Sequence, residues 1–138
     1  MADTLLFQLV SPERLLVETQ VTEVQIPARE GYIGVLPGHA PLLSELMAGG
    51  VLSYHAGGTV KVFAIYGGFV EVLPDRVRVL ADSAEPKEEI NVANAQSELK
   101  TATKAVEGIA SGTTDSDVVL DQAMRAQAKV DAATVKPV

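Results

Sequence analysis

The sequence predicts an N-terminal antiparallel β-sandwich (a flattened barrel) followed by a C-terminal antiparallel hairpin of two helices. Three observations support this fold class. Short β-branched and apolar runs fill the chain up to about Asp82, glycine and proline signals separate these runs, and from Glu85 onward apolar residues recur at spacings of three and four. We therefore expect a β-sandwich domain over residues 1–84 and a helical-hairpin domain over residues 85–138.

Eight segments before residue 82 have the character of strands. Their alternation is clearest where Arg76 and Arg78 alternate with Val77 and Val79. Eight or more short strands at this spacing are typical of an antiparallel sandwich or barrel. The expected strands cover residues 4–10, 14–19, 21–26, 32–36, 51–55, 59–66, 69–73 and 76–80.

The expected strand at residues 59–66 is apolar on both of its faces. Val60, Val62 and Ala64 form one side, and Phe63 and Ile65 occupy positions on the other side that would normally be polar. Such a strand is either central in its sheet or covered by another element. We favour the central position.

The first helix is expected to begin near Pro86, which suits a first helical turn, and Glu88 and Glu89 favour a helix N-terminus. Its apolar face continues for about five turns. It should end where Gly108 and Gly112 are followed by small polar residues. The apolar face consists of Val92, Ala95, Leu99, Ala102, Val106 and Ile109.

The second helix is expected to begin near residues 115–117, where an aspartate can cap it. Alanine-rich faces let two helix axes approach closely, but they bury little area at roughly 25 cal/mol per Å². We therefore expect a hairpin of marginal stability, which can lie on the sandwich or leave it at modest cost. The apolar face of this helix consists of Val119, Ala123, Ala126, Val130 and Ala133.

Composition excludes several classes of protein. Hydrophobic residues make up 47 % of the chain, which is enough for a real core. The absence of cysteine excludes disulfides and thiolate metal sites, and a net charge of −7 makes nucleic acid a poor partner. We expect no secretory signal and no membrane-spanning segment, so any membrane association should go through a partner.

The sequence contains none of the common motifs that bind phosphate, hold a catalytic metal or activate a nucleophile. It has no Gly-x-x-x-x-Gly-Lys run, no His-Glu-x-x-His and no Gly-x-Ser-x-Gly. Ser97 and Lys100 match Ser-x-x-Lys, but they lie in the middle of an expected helix and lack the companion motifs, so we assign the match to chance. We expect no catalytic, cofactor or metal site.

Residues 31–43 predict a rigid, shaped surface. The run carries three glycines and two prolines, which permit some unusual backbone angles and fix others. His39 is either a partner contact or a turn histidine bonded to nearby backbone, and we favour the turn. Tyr32 is either half-buried core or an exposed aromatic at a protein contact, and the pattern does not choose between them.

A small cationic face is expected on the second helix. Arg125 and Lys129 are four residues apart, and Gln122 extends their face. This face is either solvated, with Asp121 pairing with Arg125, or a basic stripe that meets an acidic partner.

Three segments together resemble the epsilon subunit of F-type ATP synthase (called delta in mitochondria). They are the run Gly-Tyr-Ile-Gly-Val-Leu-Pro-Gly-His-Ala-Pro-Leu-Leu at residues 31–43, Gly-Gly-Phe-Val-Glu-Val at residues 67–72, and residues 77–84, which end in Leu-Ala-Asp-Ser-Ala. The resemblance covers essentially the whole chain. It implies a sandwich and hairpin in the central rotor stalk, where the subunit couples the c ring and gamma to ATP synthesis without catalysing a reaction.

The resemblance also implies partners and a location. The loop with Gly31 and Tyr32 would face the c ring. Many members of the family have an acidic residue where this chain has Tyr32, and Glu30 could supply that charge. Arg125 and Lys129 would approach an acidic loop of the β subunit when the hairpin extends and inhibits ATP hydrolysis. The implied location is peripheral, on the cytoplasmic face of a bacterial inner membrane.

Nucleotide binding is expected to be weak or absent. Some bacterial members of this family bind ATP through Ile/Leu-Asp-x-x-Arg-Ala at the first helix, and here Asn91 and Asn94 replace the aspartate and the arginine. Asparagine cannot provide the cationic, multidentate contact of arginine.

The alternative class is a free-standing module whose sandwich binds a carbohydrate or a small ligand. Its usual exposed aromatics are scarce here, with three tyrosines, three phenylalanines and no tryptophan.

Overall fold

The computed structural model describes residues 3–111 and 116–135, and within these ranges two five-stranded sheets precede two helices. This arrangement confirms the predicted fold class. The helices are α1 (Val92–Glu107) and α2 (Ser116–Thr134), and short 3-10 segments cover Lys87–Glu89 and Gly108–Ser111. The strands are β1 (Leu5–Val10), β2 (Leu15–Val21), β3 (Glu23–Ala28), β4 (Gly31–Val35), β5 (Leu42–Glu45), β6 (Gly50–Ala56), β7 (Thr59–Ile65), β8 (Gly68–Leu73), β9 (Arg76–Ala81) and β10 (Ala84–Pro86).

The two sheets pack face to face. Sheet A has the strand order β2-β1-β9-β8-β5, and sheet B has the order β10-β7-β6-β3-β4. All neighbouring strands are antiparallel except β1 and β9, which run parallel with Leu6 opposite Arg76 and Val10 opposite Leu80. This parallel pair departs from the purely antiparallel expectation. Its partners lie about seventy residues apart in the chain, and alternation within a strand carries no information on such pairing.

Two strands and the start of α1 differ from the prediction. β5 and β10 were not predicted, and β10 runs through Pro86, where we expected a helix to begin. Pro86 is extended (φ −68°, ψ 145°), and α1 starts six residues later because the Asn91 side chain accepts a hydrogen bond from the Asn94 N–H at 3.0 Å. Asparagine is a strong helix N-cap, so the cap decides this boundary.

The main core fills the space between the sheets. Its side chains come from the inward-facing, alternating positions along the strands of both sheets, and the rings of Phe7 and Tyr54 lie 4.9 Å apart between their centroids. The largest fully buried side chains are Phe7, Leu5, Leu9, Ile26, Leu52, Ile65, Val21, Val24, Val35, Val70, Val72 and Val77. An aliphatic core of this kind supplies stability in a chain poor in aromatics.

A second apolar cluster lies on the outer face of sheet B, under the helices. It contains Val62 and Ala64 of β7 together with Ala95 and Ala132 of the hairpin. β7 therefore has a strand on each side, as favoured, and is also covered by another element. This second cover explains why Phe63 and Ile65, which face the main core, are matched by apolar residues on the opposite face.

Helix α2 packs against α1 and also against β6 and β7. The predicted apolar face is confirmed at Val119 and Ala126, which are buried, but Ala128 and Ala132 are buried as well. The one-face pattern missed them because α2 has two neighbours. The predicted start of α2 agrees with Ser116, whereas residues 112–115, which include an expected helix end and cap, lie outside the described residues.

Candidate protein-contact surfaces

Glu30 and Gly31 lie at the tight turn between β3 and β4. Glu30 is exposed, and Gly31 has a φ of +146°, a conformation that side chains with a Cβ rarely adopt. The neighbouring Arg29 pairs with Glu45 of β5, and the Arg29 N–H donates to the Glu45 carbonyl at 2.9 Å. These bonds hold the turn against the end of sheet A, so Glu30 is presented on a braced turn.

Tyr32 is 54 % exposed, yet its hydroxyl has a structural task. The hydroxyl accepts a hydrogen bond from the Val51 N–H at 2.9 Å. The hydrogen-bonded pairing of β3 with β6 stops at Gln25 and Ser53. Beyond that point Pro27 of β3 lies close to Gly50 of β6, where an added Cβ would be 2.3 Å from the Pro27 Cβ. Tyr32 thus bridges β4 to β6 where the ladder has ended, and half of its surface stays available to a partner.

His39 lies in the loop between β4 and β5. Its backbone N–H donates to the Leu36 carbonyl at 3.1 Å, and its ring Nδ1 donates to the Ala40 carbonyl at 2.6 Å. The Gly38 N–H donates to the Pro74 carbonyl at 2.8 Å, which ties the loop to the turn between β8 and β9. These bonds agree with the turn interpretation of His39.

The predicted contact residues form three separate groups. Glu30, Gly31 and Tyr32 lie together at the start of β4, whereas His39 follows its other end. The strand rises about 3.3 Å per residue over its five residues, so His39 lies near the opposite end of the sandwich from the Glu30 turn. Arg125 and Lys129 are on α2 and line a different surface.

Arg125 and Lys129 line a cavity between the hairpin and the edge of sheet B. The Lys129 ammonium lies 3.3 Å from Glu98 of α1 and 3.6 Å from Glu85 of β10, and its side chain is only 21 % exposed. The Tyr66 hydroxyl donates to Glu85 at 2.7 Å. The remaining cavity lining includes Ser83, Ser97, Thr101, Ala102, Ala105, Gln122 and Ala126. Lys129 is therefore neither solvated nor directed at an outside partner in this compact form.

The electrostatics of this cavity are nearly balanced. Its cations are Arg125 and Lys129, and its carboxylates are Glu85 and Glu98. Burial raises the pKa of the Tyr66 hydroxyl, and its hydrogen bond to Glu85 raises it further, so Tyr66 stays a neutral donor. Nothing in this arrangement activates a nucleophile or concentrates positive charge for a polyphosphate.

The side chains of the sequence motifs can also be located in the part of the chain that the structure describes. Within residues 3–111 and 116–135 no cluster of three or more histidine, aspartate or glutamate side chains could hold an ion. Ser97 and Lys100 of the chance Ser-x-x-Lys match are both exposed on α1. Asn91 caps α1 and, like Asn94, is exposed outside the lining of the cavity.

Sequence reasoning missed an apolar row on the solvent face of sheet A. Register places Leu15 opposite Val10, Val10 opposite Leu80, and Leu80 opposite Phe69, so the row crosses four strands. Leu15, Leu80 and Phe69 are 49 %, 47 % and 51 % exposed. Leu80 lies on the same face of its strand as Arg76 and Arg78, so an apolar residue stands where the alternation calls for a polar one. That break in alternation was the signal in the sequence for an exposed apolar side chain. The row itself needs the register between strands.

Comparisons with known proteins point to one family. The family model described as ATP synthase, Delta/Epsilon chain, beta-sandwich domain matches residues 4–87. An ATP synthase epsilon chain from Solibacter usitatus is 48 % identical over 136 residues, covering 99 % of this chain and 100 % of that protein. One from Brucella anthropi is 39 % identical over 132 residues, covering 94 % of this chain and 98 % of that protein.

A solved structure shares the fold. It is a chain in the cryo-EM structure of Euglena gracilis mitochondrial ATP synthase, OSCP/F1/c-ring in rotational state 1. The TM-score is 0.76 at 23 % identity, covering 94 % of this chain and 79 % of that chain. The similarity therefore includes both the sheets and the helices.

Proposed function

Because the chain belongs to the family of ATP synthase epsilon chains, we propose that it is a non-catalytic subunit of the central rotor stalk of a proton-translocating F-type ATP synthase. In this role it couples the c ring and gamma to ATP synthesis at the catalytic β subunits. Full-length similarity to named epsilon chains supports this function over a carbohydrate-binding module. The balanced charges of the Tyr66 cavity support a role without chemistry.

The observation that carries the mechanical part of the proposal is the apolar row of sheet A. A soluble protein rarely leaves large apolar side chains in register across four strands unless a partner covers them. We propose that gamma binds this row. The main core lies on the other side of sheet A, so force on the row would pass directly into the rigid sandwich.

Co-purification tests the gamma contact. Phe69→Glu places a charge at one end of the proposed contact and should weaken capture of gamma more than tenfold, since an unpaired interfacial charge costs several kcal/mol. Leu36→Glu is the matched control, because Leu36 is 57 % exposed in the loop that contains His39, away from the row. Equal capture of gamma by the two variants would refute the assignment of this face.

The c ring is proposed to meet a different feature, the braced turn at Glu30. Its support is the exposed carboxylate, the left-handed Gly31 and the exposed half of Tyr32. Glu30→Lys should weaken binding of the gamma-bound subunit to c-ring preparations and leave gamma capture unchanged. Loss of gamma capture with intact c-ring binding would reverse the two assignments.

Regulation of ATP hydrolysis is proposed to involve the hairpin and an acidic loop of the β subunit. In the compact form Arg125 is exposed, whereas Lys129 is occupied by Glu85 and Glu98. Arg125→Glu is therefore the cleaner probe, and it should raise ATP hydrolysis by the reconstituted complex. Lys100→Glu changes the same charge on the exposed side of α1 and serves as the control. Unchanged hydrolysis in Arg125→Glu would remove the basic stripe from the proposal.

Nucleotide binding to the isolated chain is proposed to be weak or absent. ATP carries several negative charges, and in the cavity near the hairpin Lys129 is already paired with the carboxylates of Glu85 and Glu98. The Asn91 oxygen is engaged in capping α1. Isothermal titration should show no ATP binding below the millimolar range, and a micromolar dissociation constant would refute this proposal.

The proposed location is peripheral, on the cytoplasmic face of a bacterial inner membrane, with attachment through the c ring and gamma. Within the described residues, neither helix has the length and apolar character needed to cross a bilayer. Washing membranes with chaotropic salt should release the chain together with gamma. Retention after gamma has been removed would point to a direct membrane attachment.

A further inference from the structure

A polar row crosses the solvent face of sheet A beside the apolar row. Register places Gln8 of β1 opposite Glu18 of β2 on one side and opposite Arg78 of β9 on the other. Glu71 of β8 lies opposite Arg78 in turn, so the polar row consists of Glu18, Gln8, Arg78 and Glu71. Leu80 follows Arg78 by two residues and therefore shares its face, which makes the two rows direct neighbours.

Two hydrogen bonds hold the Arg78 side chain in place. The Arg78 Nε donates to the Gln8 Oε1 at 3.1 Å, and the Gln8 Nε2 donates to a carboxylate oxygen of Glu18 at 3.2 Å. Glu18 thus orients the amide of Gln8 so that its oxygen faces the guanidinium. A guanidinium that is already fixed through Nε loses little conformational entropy when its other nitrogens bind a ligand.

The two terminal nitrogens of Arg78 have no ion-pair partner among the described residues. Glu71 is opposite Arg78 in register, yet the ion pairs found in this part of the chain do not include either residue. Arg78 is half-buried, whereas Arg76 on the same face of the same strand is exposed. An oriented, partly buried arginine with unused donors is typical of an anchor in a protein interface.

We propose that Arg78 binds a carboxylate of the protein that covers the apolar row, through both of its terminal nitrogens. The matching surface of the partner carries an aspartate or glutamate beside an apolar patch. The chain has a net charge of −7, which repels acidic groups in general, so a fixed cation on the central strand of sheet A selects where such a group can bind. This contact rests on the proposed function, because gamma is the protein proposed to cover the row.

Binding kinetics of the full chain with gamma test the contact. Arg78→Met removes the charge but keeps the length of the side chain, and it should weaken binding about tenfold, mainly through faster dissociation. Arg78→Lys keeps the charge without the planar fork and should still bind several-fold more weakly than the original chain. Arg76→Met is the matched control, because it removes the same charge from an exposed position of the same strand face, and it should change the dissociation constant less than about twofold.

The carboxylate itself can be located from the side of gamma, which leaves this chain unaltered. Each aspartate or glutamate of gamma is replaced in turn by asparagine or glutamine. One replacement should weaken binding of the original chain about tenfold and binding of Arg78→Met less than about twofold, because the pair is already lost in that variant. Glu71→Gln should leave binding unchanged or make it tighter, since Glu71 is the carboxylate of this chain that lies opposite Arg78.

Three results would overturn the proposed contact and leave the proposed function standing. One is unchanged binding by Arg78→Met while Phe69→Glu is impaired, since gamma would then cover the apolar row without using Arg78. A second is the absence of any carboxylate of gamma whose effect depends on Arg78. The third is a loss in Glu71→Gln as large as in Arg78→Met, which would place the partner of Arg78 within this chain. Failure of the original chain to bind gamma would instead refute the proposed function, and the contact with it.

Discussion

Gly49 sits where the backbone of α2 touches the sandwich, and a single methyl group there should lift the hairpin. A Cβ at this position would lie 2.4 Å from the carbonyl oxygen of Met124. Ordinary contact begins at 3.4 Å, so Gly49→Ala requires a displacement of about 1 Å between the loop and α2. The backbone of Gly49 is outside the left-handed region, and alanine fits it without strain.

The size of the expected loss of docking free energy can be taken from other overpacked contacts. Inserting a methyl group into a tight contact costs about 1–3 kcal/mol, which changes the docking equilibrium by roughly 5- to 150-fold. The obstacle is helix backbone rather than the end of a flexible side chain, so local adjustment is expensive. Because the three atoms nearest to the added Cβ all belong to the backbone of α2, the cost should fall on docking and not on the sandwich.

Amide hydrogen exchange measures this effect. In Gly49→Ala, α2 should exchange faster by a factor in the same range, while β1 and β9 keep their protection. Gly108→Ala is the matched control, because it adds the same methyl group to a right-handed residue (φ −70°) at which the new Cβ would lie more than 4 Å from any neighbouring group. Equal protection of α2 in the two variants, or equal loss of protection in the sheets and in α2, would refute the reasoning.

Three further predictions concern single side chains. Tyr32→Phe removes the acceptor of the Val51 N–H and should lower the free energy of unfolding by about 0.5–1.5 kcal/mol in urea titration; an unchanged value would mean that the bond adds nothing. Asn91→Ala should cost about 1 kcal/mol and speed exchange at the Asn94 amide, whereas Asn91→Asp should restore the cap. Burial raises the pKa of Tyr66 in the folded state, so its contribution is complete below about pH 10 and is lost as the pH rises further. Tyr66→Phe should flatten that alkaline decline, and an identical pH profile would contradict it.

Local chemistry explains which elements were predictable. Arg76 to Val79 show their strand in the sequence because each side chain experiences one face of the sheet. By contrast, β10 could not be predicted from the sequence, because Ala84–Pro86 has no alternation of polar and apolar residues. It becomes a strand only because it pairs with the free edge of β7. The start of α1 was misplaced because Pro86 and Asn91 are both acceptable starts, and pairing of Pro86 with Phe63 excludes the first.

The candidate contact surfaces also differ in whether local sequence is enough to suggest them. The Glu30 turn and the pair Arg125 and Lys129 could be proposed as contacts from the sequence, because each group is contiguous or lies on one helix face. The apolar row of sheet A was missed because Leu15 and Phe69 meet only through the registers of three strand pairs. Register depends on distant partners, and no short window of sequence contains them.

By itself the sequence determined the two structural classes in this chain, their order, and the absence of recognisable catalytic motifs, because period, capping residues and side-chain chemistry are local properties. Only the tertiary structure decided that Lys129 faces inward. Its environment is made by Glu85 and Glu98, which lie 44 and 31 residues away along the chain, and by a tyrosine hydroxyl that orients one of them. Whether a charged side chain forms an ion pair or stays solvated depends on the groups that the fold places beside it.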